Sequence, residues 1–151
     1  MREAEIGTYV SAVKLIMVKD NEQIYFKNRK LNSAGEVVEA VKPLFENLDR
    51  EIFVVLSLDA KAYVVSWEII AIGGTTFCPV DVKNVYKHVL LSNGVAVVCL
   101  HNHVSGKPEP SQADYEITQK LKDAASVLEI QMFDHIIVGE GGTFFSFFEN
   151  N

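Results

Sequence analysis

Cysteine, basic residues and long apolar runs are scarce in this sequence. Its two cysteines, Cys78 and Cys99, lie far apart and form no Cys-x-x-Cys pair, which indicates neither a disulfide framework nor a zinc site built from thiolates. No apolar run approaches the ~18 to 20 residues of a membrane helix. Residues 1–11 carry acidic as well as basic side chains instead of a signal-peptide pattern. We therefore expect a cytoplasmic protein without a membrane segment.

Basic residues are outnumbered by acidic ones. Fourteen Lys and Arg stand against twenty Asp and Glu, which gives a net charge of −6 over 151 residues. This balance weakens any function that depends on non-specific affinity for nucleic acid, because neutralisation of phosphates supplies most of that affinity. The length and the 48% content of hydrophobic residues predict a single domain over residues 1–151, without repeats or linkers.

Signatures of several metal and phosphate sites are also missing. The sequence has neither the His-x-Glu and Pro-Cys-x-x-Cys of zinc deaminases nor an H-E-x-x-H metalloprotease helix. Gly73-Gly74-Thr75 and residues 139–142 lack the spacing and the lysine of a phosphate loop, so we predict turns there. His101-Asn102-His103 does not indicate an HNH endonuclease, because those enzymes disperse the three residues over a ββα-metal motif.

The N-terminal third predicts a hairpin followed by a helix. Two short apolar stretches, 12–18 and 23–27, flank a polar turn, which is typical of a hairpin. Ser33 and Glu36 form a capping-box pattern that predicts the start of a helix. Pro43 is expected to kink or divide that helix.

The remaining two thirds alternate strand-like and helix-like segments. The six-residue apolar run at 95–100 reads as a central strand that is covered on both faces. Together the segments predict a mixed sheet with flanking helices, in the α/β or α+β class. In chain order we expect antiparallel strands 52–58 and 62–72, a helix from Val82 to about Leu90, the strand 95–100, a loop at 104–110, a helix from about Ser111, and a closing hairpin of 132–138 and 143–148.

The end of the central strand carries the candidate site. Side chains two residues apart share one face of a strand, so His101 and His103 can direct their imidazoles at one point. The following loop returns a helix N-terminus to the same edge, where Asp114 could be a third ligand. Two imidazoles and one carboxylate leave a fourth tetrahedral position open, which is the composition of a catalytic zinc site.

Each element of this site also has a structural explanation. Ser111 and Asp114 form a capping-box pattern, which alone accounts for both residues. A histidine beside a core strand is usually a hydrogen-bonded structural residue, although two of them spaced like this favour ligation. The two roles of Ser111 and Asp114 are compatible with each other.

The spacing His101-x-His103-x7-Ser111-x2-Asp114 resembles the signature of the JAB/MPN metalloprotease (JAMM) domains. The motif His-Asn-His-x-Ser-Gly resembles that of the RadC-like branch, although Val104 replaces the proline that is usual there. The resemblance covers residues 33–148. Flanking matches extend it, at Arg50 to Asp59, Gly74-Thr75, Asp134 to Gly139 and Phe145 to Phe147.

This resemblance implies a cytidine-deaminase-like, three-layer JAB/MPN architecture with a Zn²⁺ ion bound by His101, His103 and Asp114. It also implies a general base from an earlier strand. Glu51 is the preferred candidate, since it begins the strand that supplies this residue in JAMM domains, and Glu68 is the alternative. His135 matches a recurrent family position and is expected to support the site without ligating the metal.

The implied activity is zinc-dependent hydrolysis of a peptide or isopeptide bond through an activated water. Glu51 would carry the proton, and Ser111 would donate a hydrogen bond to the oxyanion. Two alternatives stay open, a non-catalytic JAB-fold binding module and a DNA-repair accessory protein of the RadC type. Nucleic acid enters only by family association, since the helix-hairpin-helix segment that often precedes this domain is not found in the sequence. Self-association into a homo-oligomer is left open.

Overall fold

The computed structural model describes residues 9–74 and 78–150. The elements are α1 (Ala34–Phe45), β1 (Ile52–Leu58), β2 (Val64–Ile72), α2 (Val82–Leu91), β3 (Ala96–Asn102), α3 (Gln112–Leu128), β4 (Gln131–Val138), a 3-10 turn (Glu140–Gly142) and β5 (Phe144–Ser146). In this part of the chain the strands form a five-stranded sheet with the order β2-β1-β3-β4-β5.

The sheet is mixed, as predicted. β1 pairs antiparallel with β2 and β3, β4 pairs antiparallel with β5, and β3 and β4 run parallel. A parallel pair needs a crossover connection, and α3 provides it. The N-terminus of α3 therefore lies close to the end of β3, which brings the two halves of the candidate site together.

Helices cover both faces of the sheet and produce three layers. Alternate side chains of β1 and β3 divide between two apolar clusters, because successive side chains of a strand point to opposite faces. Val54 and Leu100 pack in the cluster with α1, whereas Val55 and Cys99 pack with α2 and α3. His101 follows Cys99 by two residues, so it faces the layer of α2 and α3.

The central strand was predicted correctly but too short. All seven residues of β3 are buried, including His101 and Asn102. These two polar residues stay in the sheet because they pair with Ile137 and Val138 of β4, and His101 also pairs with Phe53 of β1. The prediction ended the strand at Leu100, two residues early, because His101 and Asn102 are polar.

The predicted hairpin of residues 12–18 and 23–27 is wrong. Residues 9–29 form neither strand nor helix, and the first sheet-like contact is a single bridge between Lys30 and Tyr63. Most apolar side chains of this segment are exposed, as Ile16 is at 83%. A two-stranded hairpin without an apolar face to pack against is marginal in water, which explains why the alternating pattern is insufficient here.

Local signals set most of the other boundaries. Ser33 caps α1 as predicted, with its side chain accepting a hydrogen bond from the Glu36 N–H. Pro43 does not divide α1, which continues to Phe45; it lies in the last turn, so any distortion it causes affects only the end of the helix. The predicted antiparallel pairing of β1 and β2 and the closing hairpin of β4 and β5 are both confirmed.

The inward face of α3 combines apolar and polar residues. Leu121 and Ala125 are buried, whereas Leu128 is 40% exposed. Asp114 and Thr118 complete the buried stripe in place of apolar residues.

No helix in the described ranges is long and apolar enough to cross a membrane.

Candidate metal centre

A tight turn directly after β3 positions the second histidine. The Gly106 N–H donates to the His103 carbonyl over 2.9 Å, and Gly106 has a φ of +75°, which favours glycine. The Glu140 N–H then donates to the Gly106 carbonyl over 2.8 Å and ties this turn to the connection between β4 and β5. The loop that leads to α3 is thus anchored at its sharpest point.

Three side chains lie close together between the end of β3 and the N-terminus of α3. His101 Nε2 lies 2.9 Å from Asp114 Oδ1, and His103 Nε2 lies 3.1 Å from Asp114 Oδ2. The two Nε2 atoms are 3.2 Å apart. Among the described residues, this is the group of at least three His, Cys, Asp or Glu side chains that could hold a metal ion, with donor atoms within 4.8 Å of one another. The structure therefore brings together all three predicted ligands.

The donor set fits a small divalent ion. Zinc binds imidazole nitrogen and carboxylate oxygen at ~2.0 to 2.2 Å, so ligand atoms around a tetrahedral ion are separated by about 3.3 Å. The two Nε2 atoms are separated by 3.2 Å, and they lie 2.9 and 3.1 Å from the two different oxygens of Asp114, which is close to this value. Three lone pairs at such distances repel one another unless a cation, either a proton or a metal ion, lies between them.

The outer nitrogens of both imidazoles are held by partners behind the site. His103 Nδ1 lies 3.0 Å from the Lys107 carbonyl, which can only accept, so this nitrogen carries a proton. His101 Nδ1 lies 2.9 Å from Nε2 of the buried His135. Hydrogen bonds of this kind orient ligand rings and set their tautomers.

Asp114 and Ser111 also form the predicted capping box of α3. The Ser111 side chain accepts from the Asp114 N–H, and Asp114 Oδ2 accepts from the Ser111 N–H over 2.7 Å. The Ser111 hydroxyl donates to the same Oδ2 over 2.7 Å. Capping and proximity to the histidines therefore occur together in one side chain, which fixes the carboxylate toward the site.

The electrostatics of the site favour an ionised carboxylate. Burial opposes ionisation of Asp114, but hydrogen bonds from His101 and His103, the charge of His101 and the hydrogen bond from the Ser111 backbone hold its pKa well below the ordinary value. The hydrogen bond to Asp114 raises the pKa of His103, against the opposing effect of burial. Complete burial keeps the pKa of His135 well below the usual range, so this imidazole is neutral.

Metal binding is expected to strengthen as the pH rises from about 6 to about 8. The hydrogen bond to Asp114 raises the pKa of His103 above its ordinary value, so the folded protein holds this proton more tightly, and a metal ion must displace it. Below this raised pKa, the apparent affinity should fall about tenfold per pH unit. Melting curves with and without zinc at both pH values test this, and an equal zinc-induced shift in Tm at both would contradict it.

The stability of the metal-free protein should have the opposite pH dependence and fall as the pH rises over this range. Pairing of His103 with Asp114 stabilises the folded state below the unfolded histidine pKa, and this contribution disappears as the pH rises through the raised folded value. At the acid end the depressed pKa of Asp114 reverses the trend, since stability is lost as that carboxylate is protonated. The metal-free melting curves of the same experiment measure both effects.

Glu51 is placed beside the site by Asn102, a residue that sequence analysis did not single out. Asn102 Oδ1 accepts from the Ile52 N–H over 2.8 Å, and its Nδ2 donates to the Arg50 carbonyl over 3.1 Å. These two bonds clamp the backbone on both sides of Glu51. Asn102 thus faces away from the site while its neighbours His101 and His103 face into it.

A cavity of about 590 Å³ joins the predicted residues. It is lined by both histidines, Asp114, Ser111 and Glu51, with apolar walls that include Phe53 and Ile117. Burial and the nearby charge of Glu51 raise the pKa of Cys78, which lines the same cavity. The cavity therefore has an acidic residue outside the ligand group, Glu51, in its lining together with the three candidate ligands.

The alternative base, Glu68, belongs to another part of the surface. Its Oε2 lies 2.8 Å from His88 Nδ1, and His88 Nε2 lies 3.0 Å from Ser66 Oγ. This chain of contacts joins β2 to α2 and lines a different groove. The structure thus brings Glu51, and not Glu68, to the cavity of the candidate ligands.

Three supporting groups were not predicted from the sequence, because their contacts are made only in the folded chain. The Lys107 carbonyl contacts His103, Thr118 contacts His135 behind the site, and Asn102 bonds to the backbone on both sides of Glu51, at distances of 2.6 to 3.1 Å. Thr118 lies four residues after Asp114, a helical spacing that could have indicated a shared inward face. Asn102 and Lys107 carried no comparable signal.

The domain has three layers, and its candidate ligands lie between the central strand and the following helix. This combination is typical of JAB-type domains. The model of the RadC-like JAB domain matches residues 31–151. This chain belongs to the RadC-like JAB domain family.

Several relatives are bacterial UPF0758 proteins. The chain is 38% identical to one from Shouchella clausii over 111 residues, which cover 74% of this chain and 48% of the relative. It is 39% identical to one from Ectopseudomonas mendocina over 115 residues, covering 76% and 51%. One from Vibrio cholerae is 36% identical over 125 residues, covering 83% and 79%. The chain thus spans about half the length of the first two relatives.

Proposed function

We propose that this protein is a zinc-dependent metallopeptidase or isopeptidase. The observation that carries the proposal is the convergence of two imidazole nitrogens and a carboxylate oxygen within 4.8 Å in a cleft that also contains Glu51 and Ser111. A non-catalytic binding module has no need for a free carboxylate beside the ligands. The cleft therefore supports turnover more strongly than binding alone.

His101, His103 and Asp114 would hold the ion. When bound, zinc acts as a Lewis acid that lowers the pKa of water from ~15.7 toward ~7 and polarises a carbonyl group. Two neutral imidazoles and one carboxylate leave one positive charge on a divalent ion. This residual charge favours such chemistry over purely structural binding.

Glu51 would move the proton during hydrolysis. Its carboxylate accepts a proton from the attacking water and returns it to the leaving amine, so that the C–N bond breaks as the new C–O bond persists in the product acid. The clamp by Asn102 on the backbone of residues 50–52 fixes the point from which the Glu51 side chain extends. Such positioning lowers the entropic part of the barrier.

Apolar walls would hold the acyl substrate. Phe53 stacks on His101 with ring centroids 5.9 Å apart and planes inclined by 14°, which places an apolar ring against one side of the ligand group. A cleft of about 590 Å³ is within the range of small-ligand sites. It therefore accommodates a short peptide segment around the scissile bond.

The test is hydrolysis of a panel of conjugates by the metal-loaded protein. The panel pairs α-linked peptides with Lys Nε-linked isopeptides that carry the same fluorophore. We expect cleavage that a chelator abolishes and that added zinc restores. Cleavage of no conjugate by protein with one bound metal ion would support the binding module instead.

Replacing Ser111 by alanine should reduce turnover by about 10²- to 10³-fold, the usual effect of losing one oxyanion donor. In this role the hydroxyl turns from Asp114 Oδ2, to which it donates in the structure, toward the oxyanion. With zinc in excess, metal content should remain near the parent value, since Ser111 is not part of the ligand group. Ser33→Ala is the matched control because Ser33 caps α1 in the same way and lies outside the cleft. If both variants lose equal activity, Ser111 acts only as a helix cap.

A further inference from the structure

We propose that His135, oriented by Thr118, is a positioning residue that keeps the proton of His101 on Nδ1 and thereby presents His101 Nε2 to the metal. This inference rests on the metal site of the proposed function. It adds two residues that are not ligands and that lie beneath the cleft. Its basis is a continuous chain of hydrogen bonds whose direction can be assigned at every step.

The chain starts at a backbone group of α3. Thr118 Oγ1 lies 2.6 Å from the Asp114 carbonyl, and a carbonyl can only accept, so the hydroxyl proton of Thr118 points there. A hydroxyl has a single proton. Toward its second partner, Thr118 Oγ1 must therefore act as an acceptor.

That second partner is His135 Nδ1, at 2.6 Å from Thr118 Oγ1. His135 Nδ1 must then carry a proton. His135 is completely buried, and its ring lies between Phe147, stacked at 4.9 Å, and Phe53, at 5.5 Å. An imidazole in such surroundings is neutral, so its Nε2 has a free lone pair.

This lone pair decides the state of His101. His135 Nε2 lies 2.9 Å from His101 Nδ1, so it accepts the His101 Nδ1–H. In neutral His101 the proton is then on Nδ1, and Nε2 faces His103 and Asp114 with a free lone pair. The Lys107 carbonyl sets the same tautomer in His103 from the other side.

The arrangement couples ligand orientation to the backbone of the helix that supplies the third ligand. Asp114 offers its carboxylate to the site and its carbonyl to Thr118. The chain thus closes a loop from Asp114 through Thr118, His135 and His101 back to Asp114. No buried side-chain nitrogen or oxygen in the described residues lacks a hydrogen-bond partner, so replacing one member leaves a neighbour unpaired.

Thr118→Val and Thr118→Ser form the matched pair that tests the inference. Valine keeps the shape and removes the hydroxyl, whereas serine keeps the hydroxyl. Zinc affinity, measured by competition with a chromophoric chelator, should fall about 10- to 100-fold in Thr118→Val and recover in Thr118→Ser. His135→Phe, which keeps an aromatic ring beside Phe147, should lose a similar factor.

A readout without metal separates this inference from the proposed function. Long-range proton–nitrogen NMR spectra of the metal-free protein, recorded at about pH 8.5 where histidines are largely neutral, should show His135 protonated on Nδ1 and not on Nε2. Thr118→Val should lose this signature, and Thr118→Ser should keep it. If the parent binds no metal, the proposed function fails, and these spectra alone decide the inference.

Two results would overturn the inference. One is His135 protonated on Nε2 in the parent, and the other is parent-like zinc affinity in Thr118→Val. Ser92→Ala controls for stability, since it removes another buried hydroxyl that donates to a helix carbonyl, at 3.1 Å from Val89. This control should lower Tm and leave zinc affinity unchanged.

Discussion

Asp114→Ala is expected to lose metal almost completely. The substitution removes one of three candidate ligands, and it leaves two imidazoles whose Nε2 atoms face each other at 3.2 Å. The loss of affinity should exceed the ~10- to 100-fold effect of losing an outer hydrogen bond. Metal analysis of purified protein, with near-stoichiometric zinc in the parent and almost none in the variant, is the measurement.

The capping role of Asp114 requires its own control. Removing an Asp or Ser from a helix N-terminus costs ~1 kcal/mol of stability without any metal. Asp81→Ala provides the comparison, because Asp81 caps α2 through the Lys83 N–H and is not in the ligand group. Asp81→Ala should lose stability and keep zinc. Retention of one zinc by Asp114→Ala would exclude this carboxylate as a ligand.

Glu51→Gln should reduce hydrolysis by about 10²- to 10⁴-fold, the range typical of a lost general base. Glutamine has nearly the same shape and cannot accept the proton of a water molecule. Because the Asn102 clamp acts on the backbone of Arg50 and Ile52, the position of residue 51 should not change. Zinc content should equal that of the parent, so the effect should appear in kcat with little change in metal affinity.

Glu68→Gln is the matched control for this second prediction. It makes the same chemical change in the alternative candidate, which contacts His88 outside the cleft. We expect parent-like turnover from this variant. A large loss in Glu68→Gln together with parent-like activity in Glu51→Gln would reverse the assignment of the base.

Prediction from the sequence worked best where local chemistry and burial agree. The run at 95–100 has no polar side chain, and it forms the centre of the sheet. Ser33 and Ser111 both cap the helices that their patterns predicted. The predicted hairpin of residues 12–18 and 23–27 is wrong because local pattern and burial disagree there. An apolar strand pattern needs a neighbouring strand or helix to cover its apolar face.

The predicted ligands had a signal because their spacing follows from the geometry of a strand and a helix turn. His101 and His103 share a face by the two-residue period of a strand, although the second lies just past the end of β3. The choice of Glu51 over Glu68 came from the resemblance, and the structure supports it through the shared cavity. Whether Glu51 and Ser111 act in catalysis stays a prediction.

Neighbours along the chain account for the helices and strands after residue 30, the caps and the candidate ligands, so these could be predicted from the sequence. How these groups are supported depends on long-range packing. Asn102 reaches the backbone of residues 50–52, and His135 reaches Thr118 and His101, across separations of 17 to 52 residues. Such partners meet because three layers pack around one sheet, and a polar side chain buried by that packing must find its hydrogen bonds there.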